Sequence, residues 1–190
     1  SSIALGKENW AEGASTVAIG YQNHAAGAGS VSLGQENIAW GTTNFTSGYQ
    51  NVAGDISADV GTAGSATALG MQTTASGRSS FTSNKNTTAS NQASAALGIS
   101  TNADNFGMLA IGVNNSAGLG DTTVDPDNYG GYYYADGEYT GSSPGVAFVV
   151  GNGDIDSSNG LAGANPSNAF IVNYDGSATL SGDLTINSDA

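Results

Sequence analysis

Apolar and small residues along this chain recur in short blocks at a fixed interval. Each block has four residues and ends in Gly or a substitute: Ile3-Ala4-Leu5-Gly6, Val17-Ala18-Ile19-Gly20, Val31-Ser32-Leu33-Gly34, Phe45-Thr46-Ser47-Gly48, Thr67-Ala68-Leu69-Gly70, Phe81-Thr82-Ser83-Asn84, Ala95-Ala96-Leu97-Gly98 and Leu109-Ala110-Ile111-Gly112. The last residues step by 14, 14, 14, 22, 14, 14 and 14. A second column, Ala11, Ala25, Ala39, Ala53, Ala75, Ala89, Ala103 and Ala117, keeps the same steps, with its one step of 22 between Ala53 and Ala75. Two columns sharing one interruption make the period a property of the fold. The extra residues lie at about 54–66.

A 14-residue period is too short for a helical repeat and suits one coil of a β-solenoid, two short strands and two turns. The density of Gly, Ser, Thr and Asn disfavours helix. The four-residue block reads as one strand. Gly or Asn follows it, and a second set (Gly13, Gly27, Gly41, Gly77, Asn91, Asn105) comes two residues after the column Ala. Both residue types tolerate φ > 0, as tight turns require. Side chains alternate along a strand, so Val17 and Ile19 share a bulky face while Ala18 and Gly20 share a small one. A roll of two closely opposed sheets suits the small face inside, although the pattern alone leaves the choice of face open.

The energetics point to assembly. A coil offers about two large apolar side chains, worth roughly 1.5–3 kcal/mol each when buried. Ordering its backbone costs roughly 1–2 kcal/mol per residue. Stacked coils still carry an apolar stripe, which copies of the same chain would bury, so a homo-oligomer is expected. Beyond the repeat, Val146–Val150, Ala169–Asn173 and Ser177–Ile186 read as strands, with turns at Asn152-Gly153 and Asp175-Gly176. The chain divides into a roll over 1–118, a Tyr- and Asp-rich stretch over 119–145 and a C-terminal β module over 146–190.

Charge narrows the function. Net charge is −13, and Lys7, Arg78 and Lys85 are the only Lys or Arg residues. Nucleic-acid binding needs cationic neutralisation of phosphates, so it is excluded as a role, and anionic membranes are disfavoured for the same reason. No apolar run approaches the ~20 residues of a membrane helix. There is no Cys, hence no disulfide and no thiolate metal site. Without an initiator Met and starting in mid-pattern, the chain reads as a fragment of a longer polypeptide.

The stretch "STVAIGYQNHAAGAGSVSLG", Ser15 to Gly34, resembles the head repeat of trimeric autotransporter adhesins, the YadA-like left-handed parallel β-roll. The resemblance covers about residues 1–118 and departs at Phe45–Gly48, at Phe81–Asn84 and at the 22-residue step. It implies three chains around one axis. "PGVAFVVGNG" (Pro144–Gly153) and "SNAFIVNYDGSATLSGDLTINSDA" (Ser167–Ala190) are similar to segments near the distal end of bacteriophage tail fibres. Such segments precede a self-cleaving intramolecular chaperone of the endosialidase type, which would put a cleavage point near Ser188 and Asp189. The expected fold is thus all-β: a left-handed parallel β-roll of 14-residue coils with a small C-terminal β module, in an intertwined homotrimer.

Five of the eight tyrosines lie in "DNYGGYYYADGEY": Tyr129, Tyr132, Tyr133, Tyr134 and Tyr139, beside Asp136. Aromatic faces stack on sugar C–H surfaces while carboxylates accept hydroxyl protons, so this is the receptor- or glycan-binding candidate. A hairpin or interface cap is its structural alternative. Asp125 and Asp127, and Asp154 and Asp156 in "GNGDIDSSNG", are weak calcium-loop candidates. The second lacks the Gly and the bidentate Glu of an EF-hand, and solvated turns are the preferred reading. Trp10 and Trp40 flank the column Ala of their coils and read as packing. His24 is the only His, which excludes catalytic triads and multi-histidine zinc sites. No cofactor, metal or enzymatic activity is expected. The expected role is structural and adhesive: the distal part of a virion tail fibre that attaches to a bacterial cell-surface receptor, a glycan. The alternatives are the head of a bacterial trimeric autotransporter adhesin on the outer surface, or a plain shaft.

Overall fold

The computed structural model describes residues 1–56, 64–116, 145–158 and 160–182, and among these no helix forms. Eight long strands recur: β1 (Ile3–Lys7), β3 (Val17–Tyr21), β5 (Val31–Gln35), β7 (Phe45–Tyr49), β9 (Thr67–Met71), β11 (Phe81–Lys85), β13 (Ala95–Ile99) and β15 (Leu109–Val113). Seven short ones alternate with them: β2 (Trp10–Ala11), β4 (His24–Ala25), β6 (Ile38–Ala39), β8 (Val52–Ala53), β10 (Thr74–Ala75), β12 (Thr88–Ala89) and β14 (Asn102–Ala103). Long strands stack only on long strands, and short on short, all in parallel. Each residue lies beside its equivalent in the next coil, as Val17 does beside Val31 and Ile19 beside Leu33. The expected parallel β-solenoid is therefore the fold. The 22-residue step leaves the register intact, because Phe45 pairs with Thr67 and Val52 with Thr74.

The small face points inward. Ala18, Ser32, Thr46, Ala68, Thr82, Ala96 and Ala110 are wholly buried, and so are Ala25, Ala39, Ala53, Ala75, Ala89 and Ala103 on the opposed short strands. Two sheets joined by turns this short lie too close together for larger side chains. One corner of the cross-section is filled by Asn23, Asn37, Asn51, Thr73, Thr87 and Thr101, all buried. The other holds Thr16, Ser30, Asn44, Ala66, Ser80, Ser94 and Met108. The hydroxyls of Ser30 and Ser80 there donate to Gly27 O and Gly77 O at 2.6 Å, closing the turn that precedes each long strand.

The turns meet the sequence expectation at one end of the coil and depart from it at the other. Gly20, at the end of its block, has φ +126, and a Cβ there would stand 2.0 Å from Gly34 O. In the second turn Gly27 has no left-handed φ. It is small because a Cβ would lie 1.9 Å from Gly41 O of the next coil. The left-handed residues of that turn come two positions later, at Ser15, Gly29, Thr43, Ser65, Ser79, Ala93 and Gly107. At Gly27 close stacking of coils, rather than backbone conformation, requires glycine, whereas Gly41 of the same column is left-handed at φ +99.

The roll ends by changing strand direction. β16 (Val146–Asn152) stacks parallel on β15, with Val149 beside Ala110. Next to it β19 (Asn168–Asn173) runs antiparallel, followed by β20 (Ala178–Leu180). A small hairpin, β17 (Ile155–Asp156) with β18 (Leu161–Ala162), lies between them in sequence. Met108 of the last coil, with Val146 and Val149 of β16 and Ile171 packed against them, fills the last interior space with larger apolar side chains than the Ala of earlier coils. Tyr174 folds back over the end and donates its hydroxyl to Phe106 O. The turn expected at Asp175-Gly176 joins β19 to β20, with Gly176 at φ +83. Of the strand expected over 177–186, Ala178–Leu180 forms β20, Ser181 and Gly182 bend with Gly182 at φ +132, and 183–186 lie outside the described residues.

Candidate functional site

The residues singled out for receptor binding (Tyr129, Tyr132, Tyr133, Tyr134, Asp136 and Tyr139) lie outside the described residues, as do Asp125, Asp127, Ser188 and Asp189. Asp154 and Asp156 are described, and each serves its own turn. The Asp154 carboxylate accepts the backbone N–H of Asn165 at 2.8 Å and its side-chain amide at 3.0 Å. Asp156 accepts the N–H and hydroxyl of Ser158 at 2.9 and 2.7 Å. Among the described residues no three His, Cys, Asp or Glu side chains gather in a metal-binding group.

Two surfaces stand out instead. The first is the outward side of the long-strand sheet. Since the interior takes the small residues, the bulky ones point away from the chain's own core. Ile3 and Leu5 are 55% and 62% exposed, Leu109 is also exposed, and Val17, Ile19, Val31, Leu33, Phe45, Leu69, Phe81, Leu97 and Ile111 are half-buried, shielded mainly by their stacked neighbours. Bulk is exchanged between the two rows of this face: where Ser47 and Ser83 replace Leu or Ile, Phe45 and Phe81 replace the Val or Ile two residues earlier.

Beside this face runs a polar column in left-handed conformation: Glu8, Gln22, Glu36, Gln50 and Gln72. Stacking would place like charges one coil apart, which repels. Alternating Glu with Gln avoids this and turns the contacts into hydrogen bonds: Gln22 Nε2 donates to Glu8 at 2.7 Å, and Gln50 Nε2 to Glu36 at 2.7 Å. Hydrogen bonds from Gln35 and Gln50 hold the Glu36 carboxyl below the usual carboxylate range.

The second surface is aromatic and lies on the short-strand sheet. Trp10 is the register partner of His24. The His24 ring meets Trp10 edge-on with centroids 5.8 Å apart, and meets Trp40 in the same way at 5.8 Å. His24 Nε2 lies 3.2 Å from Glu12 Oε2. Along the sequence the two tryptophans and the lone histidine look unrelated. The signal that unites them is the 14-residue period, which sets Trp10 and His24 at one coil position.

A family model of the YadA head domain repeat matches the chain in two copies, over residues 1–23 and 11–37. The roll is YadA-like. Beyond the matched residues the same strand pair continues in register, coil after coil, to Val113. No curated protein matches the chain.

Proposed function

We propose that this chain is a structural and adhesive fibre module, in which three copies meet along their bulky long-strand faces and the rod so formed attaches to a cell surface. One observation carries the reading: the large apolar side chains lie outside the chain's own core, in a continuous stripe from Ile3 to Ile111. Such a stripe is covered in a stable protein. Three-fold association is supported by the YadA-like repeats. Light scattering on the purified chain tests it: a mass of three chains is expected, and a stable monomer at micromolar concentration overturns it.

Within this reading we place the chain in the distal part of a phage tail fibre that binds a glycan on the host bacterium. The similarity of Pro144–Gly153 and Ser167–Ala190 to tail-fibre segments supports that placement. A second reading, the surface-exposed head of a bacterial trimeric adhesin, is favoured by the family match over the first coils. Attachment assays separate the two. A fibre binds bacterial cells, whereas an adhesin head binds host cells or matrix. Replacing Tyr132, Tyr133 and Tyr134 by Ala assigns attachment to the Tyr-rich stretch if binding falls while the assembly stays intact.

A further inference from the structure

We propose that Trp10, Glu12, His24 and Trp40 form a carbohydrate site on the outward face of the short-strand sheet, and that it takes a neutral pyranose. This rests on the adhesive reading and gives it a ligand class on the roll itself, apart from Tyr129–Tyr139.

The site is built by two neighbouring columns of outward positions. Trp10, His24, Ile38 and Val52 form the first, each beside the next. Glu12, Ala26 and Trp40 form the second, tied to the coils that follow by hydrogen bonds from Glu12 N to Ala25 O, Ala26 N to Ala39 O and Trp40 N to Ala53 O. Of the three side chains that meet His24, Trp10 shares its column, whereas Glu12 and Trp40 stand in the second, on either side of Ala26. Ala26, between those two in the second column, is 8% exposed. The result is an open indole beside an open carboxylate. Trp10 is 58% exposed. The Glu12 side chain is 63% exposed and the His24 side chain 20%.

The roll does not need these side chains. In later coils the first column carries Thr74, Thr88 and Asn102, and the second Ser76, Ser90 and Asp104, on the same backbone register. The aromatic cluster is confined to the first three coils, and both indoles stand on outward positions. An indole face matches the C–H face of a pyranose, and a carboxylate beside it accepts ring hydroxyls. The His24 ring is wedged between the two indoles, with Nε2 3.2 Å from Glu12 Oε2. Charge selects against anionic sugars: the chain carries −13 overall, and Lys7, in the neighbouring strand, is paired with Glu8 at 3.4 Å.

The chain's two tryptophans are both in this site, so its indole emission reports the site and nothing else. The 190-residue chain is titrated with the methyl glycosides of glucose, galactose, mannose and N-acetylglucosamine. A saturable change with one of them, with affinity on the order of millimolar, is expected. Trp10→Ala and Glu12→Gln should each weaken it about tenfold or more. Thermal melting checks that each variant is folded. No saturable change with any of the four sugars overturns the proposal, and so does an undiminished response in folded Trp10→Ala. A response to tetramethylammonium in place of the sugars makes this a cation site and overturns the pyranose assignment. Sugar binding lost with cell attachment intact sinks this site alone, whereas absent attachment sinks the adhesive reading.

Discussion

Asn37 donates its side-chain amide to Oδ1 of Asn23 at 3.0 Å, with both side chains wholly buried. The contact is one rung of a ladder. Asn23 donates in the same way to Asn9 at 3.1 Å and Asn51 to Asn37 at 2.9 Å, and the Thr73 hydroxyl ends the run on Asn51 at 2.8 Å. Each buried amide also reaches backbone carbonyls of two coils: Asn37 Nδ2 donates to Leu33 O at 2.9 Å and Gly48 O at 2.8 Å. An interior of Ala and Ser gives little apolar burial, so these polar columns supply much of the specificity of stacking.

Removing a rung should be costly. Asn37→Ala takes the acceptor from Asn51 N, which donates to Asn37 Oδ1 at 3.0 Å, and the donor from Leu33 O and Gly48 O. Each buried group left unpaired costs about 1–3 kcal/mol. Asn37→Thr should cost less, because Thr73, Thr87 and Thr101 occupy this column in later coils. Urea unfolding measures the difference, and equal losses for the two variants would show that fit, not hydrogen bonding, governs the column.

Glycine substitutions should separate conformation from close approach. At Gly20 a Cβ meets Gly34 O at 2.0 Å and φ is +126, so Gly20→Ala should prevent stable stacking of those coils. At Gly176 φ is +83 with nothing within 4 Å, so Gly176→Ala should cost only the left-handed penalty of about 1–2 kcal/mol. Asn84 already occupies the Gly20 position of its coil at φ +88, and Asn84→Gly should be tolerated within about 1 kcal/mol. Thermal melts of the three variants give the order directly.

The acid limb of stability should depend on Glu36 and Asp175. Hydrogen bonds from Gln35 and Gln50 lower the Glu36 pKa, and hydrogen bonds from the Ser177 hydroxyl and N–H lower that of Asp175. A folded-state pKa below the unfolded one stabilises above the unfolded value and is lost as pH falls through the folded value. Both contributions should therefore be intact at neutral pH and fade from the usual carboxylate range, about 4, downward. Glu36→Gln should make stability fall less steeply with acid. Ser177→Ala should raise the Asp175 midpoint toward its ordinary value in an NMR titration.

Charge on the bulky face should break assembly without unfolding the roll. Leu33 points away from the interior, beside Ile19 and Ser47 of the flanking coils. Leu33→Asp should reduce the sedimenting mass to that of single chains while the far-ultraviolet spectrum stays that of parallel β structure. An unchanged mass would remove this face from the interface.

Sequence alone determined the coil, its length and the single step of 22 residues. Those follow from residues that must repeat because each coil lies on its own copy. The period also held the Asn9, Asn23, Asn37 and Asn51 column in plain view, although a polar column looks the same in one dimension whether it faces solvent or the interior. Only tertiary structure decided which face is inside, because that choice rests on the distance between the two sheets. It also reassigned Gly27 from turn conformation to coil contact, a matter of 1.9 Å to a carbonyl one coil away. And it joined Trp10, His24 and Trp40, whose rings meet edge-on although Trp40 stands at a different position of the coil.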